Sequence, residues 1–249
     1  MGKRIKGVLF DKDGTLLDIN ALWVPIGYGL VDALSGRHCL KPGDNEIILK
    51  AIGIEKGILR PNSVLASGTT GEISSALAEI LLGMGARIEF SETKAVVLGV
   101  ISNMTKNNWQ LIIPRGDLIK TFTALKSADI KIGLATSDFY DSAITCLRRL
   151  GIEEFFDYIG ADTGNGGLKP DPDMLNRFCE ACGLIPCEIA VVGDSQVDID
   201  MARNGGAGLA IAAVDCENAS AAKPPMGADY TVGSIDELLE CPLLFNYVF

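Results

Sequence analysis

Two carboxylates, Asp11 and Asp13, flank Lys12 and directly precede Gly14 and Thr15, within the run Val-Leu-Phe-Asp-Lys-Asp-Gly-Thr-Leu-Leu of residues 8–17. Alternate side chains of an extended chain share a face, so both acids can converge just beyond the apolar strand that ends at Phe10. Paired acids there suit a hard cation, or a nucleophile with an acid/base partner. Gly14 allows the backbone to turn sharply after them. The same residues also read as an Asp-Gly turn with solvated acids. A calcium loop is excluded by spacing: counted from Asp11, the positions that need Gly and Glu hold Leu16 and Leu22.

Three later clusters carry comparable chemistry. Thr136, Ser137 and Asp138 follow the apolar stretch 132–135 at an expected helix start, where hydroxyls and N–H groups suit an oxyanion or a plain helix cap. Lys169 lies in the stretch 164–173, Gly-Asn-Gly-Gly-Leu-Lys-Pro-Asp-Pro-Asp. Its prolines restrict the residues before them, so this is either a placed cation or a solvated lysine beside a helix. Asp194 and Asp198 are four apart at a strand-to-helix turn, where their carboxylates can meet to hold magnesium or to cap the helix.

These clusters need strands to present them. Gly7–Phe10 is short and apolar, as a buried parallel strand is. From residue 115 onward, helical and strand patterns alternate. Helices are expected over Asp117–Ala128, Asp138–Leu150, Asp173–Cys182, Val197–Asn204 and Ser234–Glu240. Strands are expected over Ile130–Ala135, Phe155–Ile159, Ile189–Val192, Gly208–Ala212 and Tyr230–Val232. Such alternation predicts an α/β fold with a doubly wound parallel sheet. Residues 20–104 instead hold helical stretches without strands: Ala21–Leu34, Asn45–Ala51, Thr69–Leu82 and Glu92–Met104, with Thr69 or Thr70 as a helix cap. The expected organisation is a core of residues 1–17 and 115–249 with a helical domain, 18–114, inserted. Ala219–Met226 reads as a surface loop. In open α/β sheets ligands bind beyond the carboxyl ends of the strands. All four clusters follow strands, and together they form a phosphoryl-transfer set.

As an ordered set, Asp11-Lys-Asp13-Gly-Thr15, Thr136-Ser137, Lys169-Pro170 and Gly193-Asp194-Ser195 with Asp198 resemble the haloacid dehalogenase superfamily of phosphohydrolases. The inserted helices resemble its helical cap, and the late Ala228-Asp-Tyr-Thr-Val segment resembles the phosphoglycolate phosphatase and β-phosphoglucomutase group. The resemblance implies a Rossmann-like core and a Mg²⁺-dependent phosphatase acting through an aspartyl phosphate on a phosphoglycolate-like or sugar phosphate. A phosphomutase or phosphonatase uses the same core. It implies Asp11 as nucleophile and Asp13 as acid/base, the latter favouring a phosphatase over a dehalogenase. Thr136 and Lys169 would hold phosphate oxygens, helped by N–H groups at Gly14 and Ser137. Magnesium would be held by Asp11, the Asp13 carbonyl and Asp194, with Asp198 close by. Arg60, Arg87 and Lys94 are possible anion contacts from the insertion. Lys41, Lys50, Lys56 and Lys94 are the lysines a phosphonatase could use.

Composition sets the surroundings. Of the 249 residues 48% are apolar, enough for a large core. Acids outnumber bases 32 to 22, which argues against nucleic acid and anionic membranes as partners and demands a local cation for any phosphate. No run is long enough to span a bilayer, and the apolar stretch after Lys6 is too short for a signal peptide. The expectation is a cytoplasmic monomer or homodimer acting on a small phosphate ester. Seven cysteines, an odd number, argue against a disulfide framework, and Cys179 and Cys182 read as core thiols of one helix. The single histidine, His38, has no partner at metal-binding spacing.

Overall fold

The computed structural model describes residues 4–38, 40, 41, 43–162, 167–214 and 224–245, with residue 109 as backbone only. The chain divides into two compact units, Met1–Asp18 with Pro114–Phe249, and Ile19–Ile113. Strand β1 (Gly7–Phe10) opens the first. The second holds α1 (Ile19–His38), α2 (Asp44–Ile52), a hairpin of β2 (Ile54–Glu55) and β3 (Ile58–Leu59), α3 (Val64–Ser67), α4 (Thr70–Gly83) and α5 (Phe90–Asn107). The first unit then resumes with α6 (Leu118–Ser127), β4 (Lys131–Phe139), α7 (Tyr140–Arg149), β5 (Tyr158–Asp162) and α8 (Asp173–Cys182). It ends with β6 (Ile189–Gly193), α9 (Gln196–Asn204), β7 (Leu209–Ala213), β8 (Tyr230–Val232) and α10 (Pro242–Phe245).

Among the described residues the first unit forms one six-stranded parallel sheet in the order β5-β4-β1-β6-β7-β8. Alternation along β1 shows that it is covered on both faces. Val8 and Phe10 join Phe122 and Leu125 of α6 and Leu147 of α7, whereas Leu9 joins Leu175 and Phe178 of α8 and Ile199 of α9. A four-residue strand can therefore be wholly apolar and wholly buried. The doubly wound α/β fold is present. In the inserted unit α1 buries Leu22, Ile26, Leu30 and Leu34, spaced for one helix face. Thr69 caps α4 through a reciprocal pair with Glu72, each side chain accepting from the other's backbone N–H. No helix of the described residues is long and apolar enough to cross a membrane.

Several elements depart from expectation. The inserted unit adds the β2–β3 hairpin, whose strands of two residues are too short to leave an alternating pattern. The expected strand Phe155–Ile159 begins only at Tyr158. Phe155 and Phe156 turn inward onto Phe122, with ring centroids 5.8 and 5.4 Å away, and Glu153–Phe155 is a 3₁₀ turn. Residues 138 and 139 belong to β4, not to the following helix, because β4 runs on to pair Phe139 with Asp162 after a register shift. Thr136, Ser137 and Asp138 thus lie on a strand extension and do not cap α7. Ile235–Glu240 is a 3₁₀ segment whose flanking Ser234 makes no side-chain cap. Cys39, Cys216, Gly164–Gly166 of the glycine-rich stretch and residues 219–223 of the expected loop lie outside the described residues.

Candidate active site

Strand register brings the acids together. Phe10, the last residue of β1, lies opposite both Leu134 of β4 and Val192 of β6; β6 ends one residue on, at Gly193, while β4 continues to Phe139. Asp11 stays in register by donating its N–H to the Val192 carbonyl at 2.8 Å. Asp194 follows the end of β6, and Asp198 lies in the first turn of α9. Each of Asp11, Asp194 and Asp198 offers an oxygen within 4.8 Å of the others'. Two glycines permit this approach. Gly14 has φ +83°, and a Cβ there would stand 2.1 Å from Asp194 Oδ2. A Cβ on Gly193 would stand 2.2 Å from the Asp198 Cβ.

Lys169 closes this cluster. Its buried ammonium donates to Asp11 Oδ1 and Asp198 Oδ1, both at 2.6 Å. The second Asp198 oxygen accepts from the N–H and hydroxyl of Ser195 at the start of α9. Asp198 is therefore at once a helix cap and a partner of Lys169. Three acids against one ammonium leave the charge unbalanced. Burial pushes the Asp11 carboxyl up to about 7 even with Lys169 beside it, and Asp198 adds to the rise. Burial, then Asp11 and Asp198, hold Asp194 well above the usual carboxylate range. On Lys169, burial alone would favour the neutral amine, but Asp11 and Asp198 outweigh it and raise its pKa. Clustered oxygen donors with excess negative charge fit a hard divalent cation.

Asp13 turns elsewhere. Its carboxylate accepts from Lys12 Nζ at 2.6 Å, and Lys12 also pairs with Asp138 at 3.1 Å. Asp138 in turn accepts from the Ser142 hydroxyl at 3.1 Å. The Lys12 side chain is 1% exposed. Burial alone would lower its pKa, but Asp13 and Asp138 hold it well above the ordinary lysine value. The sequence marks Lys12 only as the residue between two acids. The one available signal is its place two residues after a buried strand.

Thr136 is buried within β4, three residues before its end, and its hydroxyl accepts from the Asp138 N–H at 3.2 Å. Ser137 is half-buried beside it. Gly14 donates its N–H to the Leu17 carbonyl at 2.9 Å, so its amide is engaged within the turn. Arg115, which the motifs do not include, donates to the carbonyls of Gly14 and, at 2.7 Å, Gly233. It ties the acid-bearing turn to the loop after β8. In the inserted unit Arg60 lies 3.3 Å from Glu55 and donates to the Lys50 carbonyl at 3.0 Å. His38 stands 3.9 Å from Glu92.

Comparison with known proteins adds a further finding. A family profile described as haloacid dehalogenase-like hydrolase matches residues 5–206. The chain is 29% identical over 246 residues to a phosphoglycolate phosphatase of Chromobacterium violaceum, covering 96% of each chain. It is 25% identical over 240 residues to the pyrophosphatase PpaX of Bacillus velezensis, covering 95% of this chain and 96% of that one. Among solved structures, a predicted phosphoglycolate phosphatase from Haemophilus somnus superposes with a TM-score of 0.73 at 18% identity, covering 96% of this chain and 99% of that one.

Proposed function

From the premise that this chain belongs to the haloacid dehalogenase-like hydrolase family, we propose that it is a Mg²⁺-dependent phosphatase of a small phosphate monoester. The observation that carries this reading is the group of Asp11, Asp194 and Asp198 just past β1 and β6, with Lys169 bridging Asp11 and Asp198. In the first half-reaction an Asp11 oxygen bonds to phosphorus as the ester P–O bond breaks, and protonated Asp13 gives its proton to the departing oxygen. In the second, a water oxygen bonds to phosphorus and loses its proton to Asp13. The bond from Asp11 then breaks and inorganic phosphate is released. Lys169 and Thr136 hold phosphoryl oxygens, with Ser137 beside them. Asp11, Asp194 and Asp198, with the Asp13 carbonyl, would hold the magnesium ion, which supplies positive charge against the phosphoryl oxygens.

A phosphoglycolate-like acid or a sugar phosphate is the substrate class. A phosphomutase uses the same residues, but the curated relatives described above carry phosphatase and pyrophosphatase names, which supports hydrolysis. The test is a phosphate-release screen over phosphoglycolate, sugar phosphates and pyrophosphate, with and without Mg²⁺. Release should need the metal and vanish in Asp11→Asn. Full turnover by Asp11→Asn would remove the nucleophile assignment. Conversion of a sugar 1-phosphate to its 6-phosphate without phosphate release would replace the phosphatase by a mutase.

A further inference from the structure

In the sequence Lys12 is only the residue between Asp11 and Asp13, at a bend just past β1. Its ammonium reaches Asp13 at 2.6 Å and Asp138 at 3.1 Å. Exposure is divided unevenly across this triad. The Lys12 side chain is 1% exposed, whereas Asp13 and Asp138 are 14% and 16% exposed. The cation is sealed in the protein while each acid keeps a face to solvent. A buried ion pair is weak evidence for stability, because desolvation offsets much of its attraction, and an apolar side chain of similar size packs such a position equally well. The arrangement therefore asks for another reason.

Geometry supplies one. Asp13 is two residues from Asp11, close enough in sequence to join the acid cluster. Instead its carboxylate is held on Lys12, and the cluster consists of Asp11, Asp194 and Asp198. Asp138 is itself held, by the Ser142 hydroxyl one turn along at 3.1 Å. The chain Ser142–Asp138–Lys12–Asp13 thus runs from α7 across the tail of β4 to the turn after β1.

We propose that Lys12 and Asp138 are positioning residues for Asp13, keeping its carboxylate apart from the Asp11–Asp194–Asp198 cluster and available to the leaving-group oxygen. This rests on the acid/base reading of Asp13 given above. The proton still moves between Asp13 and the leaving oxygen, and Lys12 exchanges none.

The test uses leaving groups of different need. The full-length enzyme is assayed with Mg²⁺ on p-nitrophenyl phosphate, whose phenolate departs without a proton, on phenyl phosphate and on 2-phosphoglycolate, whose alkoxide needs one. Losses are read in kcat/KM, which reports the first half-reaction alone, because Asp13 also serves the second; Asp13→Asn should lose about 10²-fold more on phosphoglycolate than on p-nitrophenyl phosphate. Lys12→Met and the milder Asp138→Asn should show the same order of loss in kcat/KM, about tenfold for Asp138→Asn on phosphoglycolate. Lys12→Arg should restore part of it. Thermal melts confirm that each variant is folded at the assay temperature. Combining Asp138→Asn with Asp13→Asn should add little to Asp13→Asn alone, since the first acts through the second. Equal losses on all three esters by folded Lys12 and Asp138 variants, or full additivity with Asp13→Asn, would overturn the positioning role. Equal losses by Asp13→Asn itself would instead sink the acid assignment on which the role rests.

Discussion

Two buried lysines stand at the ends of the central strands, and they keep different company. Lys169 bridges Asp11 and Asp198, with Asp194 beside them, so one ammonium stands against three clustered carboxylates of which it touches two. Lys12 bridges Asp13 and Asp138, one ammonium to two. The first group is short of positive charge, and Asp11 and Asp194 respond with raised pKa values. The second is nearer to balance and ties its acids down. Two clusters built around equally buried lysines thus differ by one extra carboxylate.

The comparison can be broken from either side. The largest effect is expected at the unbalanced cluster, where Asp11→Asn should cut phosphate release by at least about 10³-fold, read as kcat on the best substrate. Lys169→Met should cost about 10²-fold in kcat/KM, since it leaves three acids facing an anionic substrate. Gly14→Ala tests how closely that cluster is packed. Its Cβ would meet Asp194 Oδ2 at 2.1 Å with φ +83°, so metal-dependent turnover should fall and a melting curve should show about 1–3 kcal/mol lost. Magnesium at about 100 times its dissociation constant should stabilise the protein by about 2.7 kcal/mol, and Asp194→Asn should remove that gain. A scan showing equal stabilisation of both proteins would separate metal binding from this cluster.

The smallest effect belongs to an acid outside both groups. Asp157 pairs with Lys126, lies 3.5 Å from Lys131 and accepts from the Ile132 N–H at 2.8 Å. Burial alone would raise its pKa, but these partners together lower it. A depressed folded-state pKa contributes stability above the unfolded carboxylate range and loses it as pH falls through the folded value. Asp157→Asn should therefore cost about 1 kcal/mol near neutral pH, a gap from wild type that narrows in acid, with kcat unchanged.

Much of the unbalanced cluster was legible because its members follow strands that announce themselves by apolar runs. The sheet's register then does what the sequence can only anticipate: it levels Phe10 with Leu134 and Val192. Helix α8, with its αL Gly183 stop, was readable to the residue. The balanced cluster was not legible. Lys12 gains its meaning from Asp138, far along the chain, and Asp138 was expected inside a helix. Its true place on the β4 extension depends on pairing with β5, a non-local event that local propensity does not encode. The delayed start of β5 has the same origin, since Phe155 and Phe156 answer to Phe122 rather than to their neighbours.

The chain leaves the first unit after Asp18 and re-enters at Pro114, and there Leu17 and Pro114 form a single antiparallel bridge, backed by the Arg115 N–H on the Leu16 carbonyl at 2.9 Å. The excursion Ile19–Ile113 is thus closed by a clasp at its root. Because the entropy of closing a loop rises only with the logarithm of its length, about 0.6 kcal/mol per doubling, the clasp tolerates segments of very different size. The fold is in this sense a socket: the strand ends that carry the acids stay fixed while whatever is plugged in between residues 18 and 114 is free to be exchanged, lengthened or redesigned.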